Sequence, residues 1–152
     1  MRKLAIGAAL LLALFVPQVA NAVGQGNCDV LKSVFKTEVE SGNGICKVEI
    51  GRESIQATHM GKKMSPEAME LVFHMSFEKV GTGTAVMGEL ALLEEEVNPV
   101  IDELRKGRLE ISAVHNHMLH EQPRIMYVHF QGIGNISQQA ETIKRAIDRT
   151  SK

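Results

Sequence analysis

From Thr84 to Asp148 the hydrophobic pattern alternates between the two-residue period of strands and the roughly 3.6-residue period of helices, and this alternation constrains the fold most. Thr84 to Leu93 reads as a strand. Glu94-Glu-Glu-Val-Asn-Pro99 opens a helix: Asn98 is a candidate cap, Pro99 suits the first helical position, and the acidic run suits the positive end of the helix dipole. Glu94 to Glu96 read as a solvated start, and Arg105, Lys106 and Gly107 close the helix. Two strands follow, about Arg108 to His117 and Arg124 to Gly132, joined by Met118 to Pro123. A last helix, about Ser137 to Asp148, turns Ala140, Ile143 and Ile147 inward. The order strand, helix, strand, strand, helix predicts an α+β fold, a mainly antiparallel sheet with helices packed on one face.

Upstream the signals are weaker. Asn27 or Asp29 can cap a helix whose apolar face is Leu31, Val34, Phe35 and Val39, with Ser41-Gly-Asn-Gly44 ending it. Ile45 to Ile50 alternates as a half-buried strand does, and Ser54 to Met60 is a fainter second strand. Between Glu67 and Val80 helix and strand patterns compete, with a strand favoured in the second half. It ends at Gly81-Thr-Gly83, a hairpin turn.

The chain opens with Met1-Arg-Lys, an apolar run from Leu4 to Val16, and Ala20-x-Ala22, the three parts of a secretory signal peptide. Cleavage is expected after Ala22, since the run falls short of the ~20 residues that cross a bilayer. The mature chain is then one domain, 23–152, of 152 − 22 = 130 residues. It is expected to be soluble and periplasmic, with no membrane span. Without Arg2 and Lys3 it has 17 − 2 = 15 basic against 18 acidic side chains and no basic cluster, which argues against a nucleic-acid partner. Cys28 and Cys46 are expected to pair in an oxidising compartment, with metal binding as the lesser alternative. The oligomeric state is not legible.

Four of the six histidines lie between His115 and His129. On a strand His115 and His117 share a face. If the turn centres near Gln122, His115 stands opposite His129 and His117 opposite Tyr127, so that three imidazoles converge across ~5 Å of sheet. This predicts a metal site with His115, His117 and His129 as ligands and Glu121 as fourth ligand or catalytic base. A divalent transition metal would fill it, zinc first, with iron, copper or nickel as alternatives. Metal-activated water would then allow hydrolysis. The alternatives are a non-catalytic module that binds or senses a metal, a small molecule or a cell-envelope ligand, and a purely structural domain. Asn116 and Arg124 are candidate cofactor-binding residues, Arg124 equally a surface ion pair. His120 reads as exposed, and His59 and His74 as packing or surface residues.

Adjacent His-Asn-His does not match the dispersed triad of the nucleases named for those letters. His115, His117 and Glu121 share the spacing of the first cupin motif, but the helix near Asn98 interrupts a cupin barrel. Lysostaphin-like peptidases need an upstream His-x-x-x-Asp, for which His74-x-x-x-Glu78 is a poor substitute. Met87 to Val100, Ile111 to Leu119, Glu121-Gln-Pro-Arg124 and His129-Phe130 together resemble the LppY/LpqO family of bacterial envelope proteins, a domain of uncharacterised function, over nearly the whole mature chain. The resemblance implies as motif positions Glu96, Asn98, Pro99, His115, Asn116, His117, Glu121, Pro123, Arg124 and His129.

Overall fold

The structure, a computed structural model, describes residues 25–151. The apolar run from Leu4 to Val16 and the expected cleavage site at Ala22 lie outside the described residues. Among them no helix is long and apolar enough to cross a membrane.

The chain starts with α1 (Gln25–Phe35), then β1 (Val39–Gly42) and β2 (Ile45–Gly51). Asn27 and Asp29 lie inside α1 rather than capping it, and Val39 belongs to β1. The glycine-rich stretch expected to end the helix is the turn of the β1–β2 hairpin. Asn43 (φ 53°) and Gly44 (φ 80°) supply the two positive φ values that a tight hairpin turn needs. Of the faint strand from Ser54 to Met60 only β3 (Thr58–His59) forms, paired with β4 (Lys62–Lys63). Next come β5 (Val72–Val80) and β6 (Gly83–Leu93), the expected hairpin. A short 3-10 turn at Glu94–Glu96 then leads into α2 (Val97–Lys106). The chain finishes with β7 (Glu110–Asn116), β8 (Glu121–Gln122), β9 (Ile125–Gly134) and α3 (Ile136–Ile147). Asn135 caps α3, its side chain accepting from the amides of Ser137 and Gln138.

Six strands form one antiparallel sheet in the order β1-β2-β5-β6-β9-β7. The three helices cover one face, as the element order predicts. Strand parity decides which residues meet them: Val48, Phe73, Met75, Phe77, Leu90, Val128 and Phe130 point inward and pack with Leu31, Phe35, Val100, Leu104, Ala140 and Ile143. Each large side chain buried this way is worth about 1.5–3 kcal/mol. Cys28 of α1 is disulfide-bonded to Cys46 of β2, with Cα atoms 5.6 Å apart.

The other face is only partly covered. Residues 52–71, with β3 and β4, fold across one end of it, and β8 adds a third strand to this small sheet. A second core forms there from Ile55, Ala57, Met69, Leu71, Ala91, Ile125 and Tyr127. Arg52 anchors the crossing segment. Its guanidinium donates to both carboxylate oxygens of Glu96, at 2.5 and 2.9 Å, and to the carbonyl of Ala91 at 3.1 Å. Glu96, expected to be solvated, is therefore buried. Burial alone would raise its carboxyl, but bonds from Arg52, the Ser151 and Leu93 amides and the Ser151 hydroxyl outweigh it and hold the group below its usual range.

Candidate functional site: an acidic groove on the open sheet face

The β7–β9 hairpin does not have the register that a turn centred on Gln122 predicts. A bulge between Ile111 and Ala113 precedes pairs Ala113↔His129 and His115↔Tyr127, so His115 faces Tyr127 and not His129. Parity is kept, and the three histidines still lie on the open face. Tyr127, however, stands among them: its ring lies 4.6 Å from that of His117 and 5.9 Å from that of His115.

The imidazoles consequently divide into two groups. His115 Nδ1 donates to the carbonyl of Asn116 at 3.0 Å, which leaves its Nε2 as an acceptor 2.9 Å from His129 Nε2. His129 Nε2 also lies 3.0 Å from Glu89. His117 turns away, its Nε2 3.7 Å from Glu70 Oε2 and its Nδ1 3.7 Å from Glu121 Oε2. Among the described residues no group of three or more His, Cys, Asp or Glu side chains is placed to hold one metal ion. This overturns the expected ligand set of His115, His117 and His129, the histidine-rich metal hairpin, the zinc, iron, copper or nickel cofactor and the metal-ion partner. Metal-assisted hydrolysis falls with them. The physical reason is the shifted register: Tyr127 stands opposite His115 and against His117, so that only His115 and His129 meet while His117 turns to Glu70 and Glu121.

The other expected site residues lie at the turn end of the hairpin. Glu121 is 4% exposed, and its Oε1 accepts the amide of Ile125 at 3.0 Å. Its Oε2 and the facing His117 Nδ1 are buried without a hydrogen-bond partner. Asn116, Glu121 and Arg124 border a hollow of about 300 Å³ together with His120. His59, on the crossing segment itself, pairs in register with Glu121 across β3 and β8.

A larger feature lies between that segment and the uncovered part of the sheet. In register across the open face run Glu49, His74, Glu89 and His129, one from each of β2, β5, β6 and β9. Glu49 and Glu89 form the floor of a groove of about 520 Å³, and Glu53, Glu67 and Glu70 form its wall. Pro66, Leu71 and Val72 supply apolar lining between them, and none of the described lining residues is Lys or Arg. The carboxyl of Glu67 is held below its usual range by its own backbone amide and the Ser65 hydroxyl. Glu70 has φ 50° and is fixed from behind, because its carbonyl accepts the Tyr127 hydroxyl at 2.5 Å. Burial, and then the charges of Glu89, Glu70 and Glu121, push that hydroxyl well above its usual value, so it remains a donor. His74 lies 3.9 Å from Glu49.

Sequence reasoning missed Glu49, Glu70 and Glu89. Glu49 and Glu89 alternate correctly with the buried residues of their strands, which marks them as facing away from the helices. Only the strand order brings them to one place.

Residues 29–149 match the family described as Domain of Unknown Function (DUF1259). The chain belongs to the DUF1259 family. No curated protein and no solved structure matches it. The DUF1259 match includes the whole groove and the hairpin, since every residue named at either lies between Glu49 and His129.

Proposed function

We propose that this DUF1259 domain is a non-catalytic module that binds a small ligand carrying protonated amines in the groove between the open sheet face and residues 52–71. One observation carries the reading: five carboxylates, from Glu49, Glu53, Glu67, Glu70 and Glu89, line a concave site that contains no lining Lys or Arg among the described residues. Like charges gathered in a cleft with low-dielectric walls focus a negative potential, which draws in cations and orients them. The apolar lining beside them suits the methylene spacers of an organic amine better than a bare ion. Glu121 enters this reading as the partner of His117, with no catalytic role, and Asn116 and Arg124 as lining of the separate hollow.

The proposal includes the finer family assignment, to the LppY/LpqO group of envelope proteins, on the motif residues quoted above. It also includes export, cleavage after Ala22 and a single domain, 23–152, in the periplasm. The test is isothermal titration of spermidine into protein recovered from the periplasm, whose mass should correspond to a chain beginning at Val23. Saturable binding that weakens as salt rises, and falls at least tenfold in Glu49→Gln/Glu89→Gln, is the expected result. No saturable heat with spermidine, or equal binding of uncharged 1,4-butanediol, would sink the reading.

A further inference from the structure

His117 and Glu70 stand together at the edge of the groove, His117 Nε2 3.7 Å from Glu70 Oε2. His117 is caught between two carboxylates, Glu121 Oε2 on its Nδ1 side and Glu70 Oε2 on its Nε2 side, each 3.7 Å away. The two sides differ in solvent access. Glu121 is 2% exposed in its side chain, whereas Glu70 is 76% exposed. On the inner side, Nδ1 and Oε2 are both buried and both without a partner. A neutral imidazole carries one N–H, and leaving a buried carboxylate oxygen unmatched costs more than leaving a partly exposed one. In the neutral imidazole the single proton is therefore better placed on Nδ1, on the side of Glu121.

The positions of both groups are independently fixed. The His117 amide donates to the carbonyl of Ile125 at 2.9 Å, and Glu121 Oε1 accepts the Ile125 amide at 3.0 Å, so one residue of β9 holds both ends of the pair. With Nδ1 protonated, Nε2 is a lone pair directed to the groove side beside the Glu70 carboxylate. Two acceptors 3.7 Å apart can share one donor between them.

We propose that His117 Nε2 and Glu70 together seat one ammonium of the ligand, and that Glu121 acts as a positioning residue by fixing the imidazole tautomer that makes Nε2 an acceptor. This rests on the amine-binding reading of the groove and adds to it where a cationic group sits. Glu121→Gln is the informative change. The Gln carbonyl can keep the Ile125 amide, while its NH2 donates to Nδ1 and moves the imidazole proton to Nε2. A donor would then point at Glu70 and take the place of the ammonium.

The experiment uses the mature chain with 15N-labelled histidine. In the parent, the imidazole shifts of His117 should report the Nδ1–H tautomer, and its Nε2 resonance should move as spermidine saturates the protein. In Glu121→Gln the tautomer should invert and spermidine affinity should fall about tenfold or more, the scale of one hydrogen bond to a charged group. An Nε2–H tautomer in the parent would overturn the proposal. So would an Nε2 resonance indifferent to saturating spermidine, or an inverted tautomer with unchanged affinity. Should Glu121→Gln fail to fold, the two measurements on the parent decide alone. Absence of spermidine binding in calorimetry overturns the groove reading as well, whereas binding that leaves His117 silent overturns only this assignment.

Discussion

Glu96 shows how much one carboxylate can carry. It is 5% exposed and accepts bonds from Arg52, the Leu93 amide, and the Ser151 amide and hydroxyl. Removing one partner of a buried pair leaves the other charge uncompensated, at a cost of about 3–5 kcal/mol. Glu96→Gln retains the shape and part of the bonding, so about 2–3 kcal/mol is expected, read as a lower urea midpoint at pH 7. The pH dependence has a fixed sign. Because folding lowers the carboxyl pKa from its usual 4.5, the stabilisation is complete above that value and is lost as pH falls through the lower folded value. The stability gap between parent and Glu96→Gln should shrink below pH 4.5. A gap as wide in strong acid as at neutrality would show that ionisation of Glu96 does not matter. The hydrophobic pattern leaves this residue in an acidic run beside Glu94 and Glu95, and only the family resemblance singles it out from them. Its partner is 44 positions away.

At the scale of elements, the central sheet depends on a glycine opposite a phenylalanine. Gly88 of β6 pairs with Phe130 of β9, and a Cβ added at Gly88 would lie 2.2 Å from the ring. Phe130 is 1% exposed and has no room to withdraw. Gly88→Ala should destabilise by about 1–3 kcal/mol in chemical denaturation, as overpacked cores do. Gly88→Ala/Phe130→Leu should cost less than the sum of its parts, and strict additivity would refute the steric account. Strand parity was legible here. Thr84 to Leu93 reads as a strand, the strand favoured in the second half of Glu67 to Val80 is β5, and Arg124 to Gly132 lies close to β9, so the expected antiparallel sheet with helices on one face is the one that forms. Hairpin register was not. The two-residue shift that pairs His115 with Tyr127 keeps strand parity and so leaves no trace in hydrophobic periodicity; His115 and His129 still meet at 2.9 Å, but His117 turns away from them to Glu70 and Glu121. Residues 52–71 were the other gap, because they are held by Arg52 and a small apolar cluster rather than by a periodic face. His74 read as a packing or surface residue, and Glu89 was not singled out at all. They become neighbours only through the β5–β6 pairing.

For the molecule as a whole, the sheet separates what holds the fold from what is proposed to bind. The helices and the Cys28–Cys46 disulfide lie on one face, and the groove opens on the other. The disulfide joins residues 18 apart and ties α1, which packs on β1 and α3, to β2. Closing a loop of that size removes unfolded-state entropy worth about 3 kcal/mol. Cys28→Ala/Cys46→Ala should therefore lower the urea midpoint by a corresponding amount. Glu49 sits on β2 itself, three positions from Cys46, but its side chain points to the opposite face. If the strand stays paired with β5, the groove floor is unchanged when the disulfide is lost. Spermidine affinity of the double variant, measured well below its unfolding temperature, should then equal that of the parent. A matching loss of affinity would mean that the register of β2 depends on the disulfide, and that the two faces are coupled through that strand.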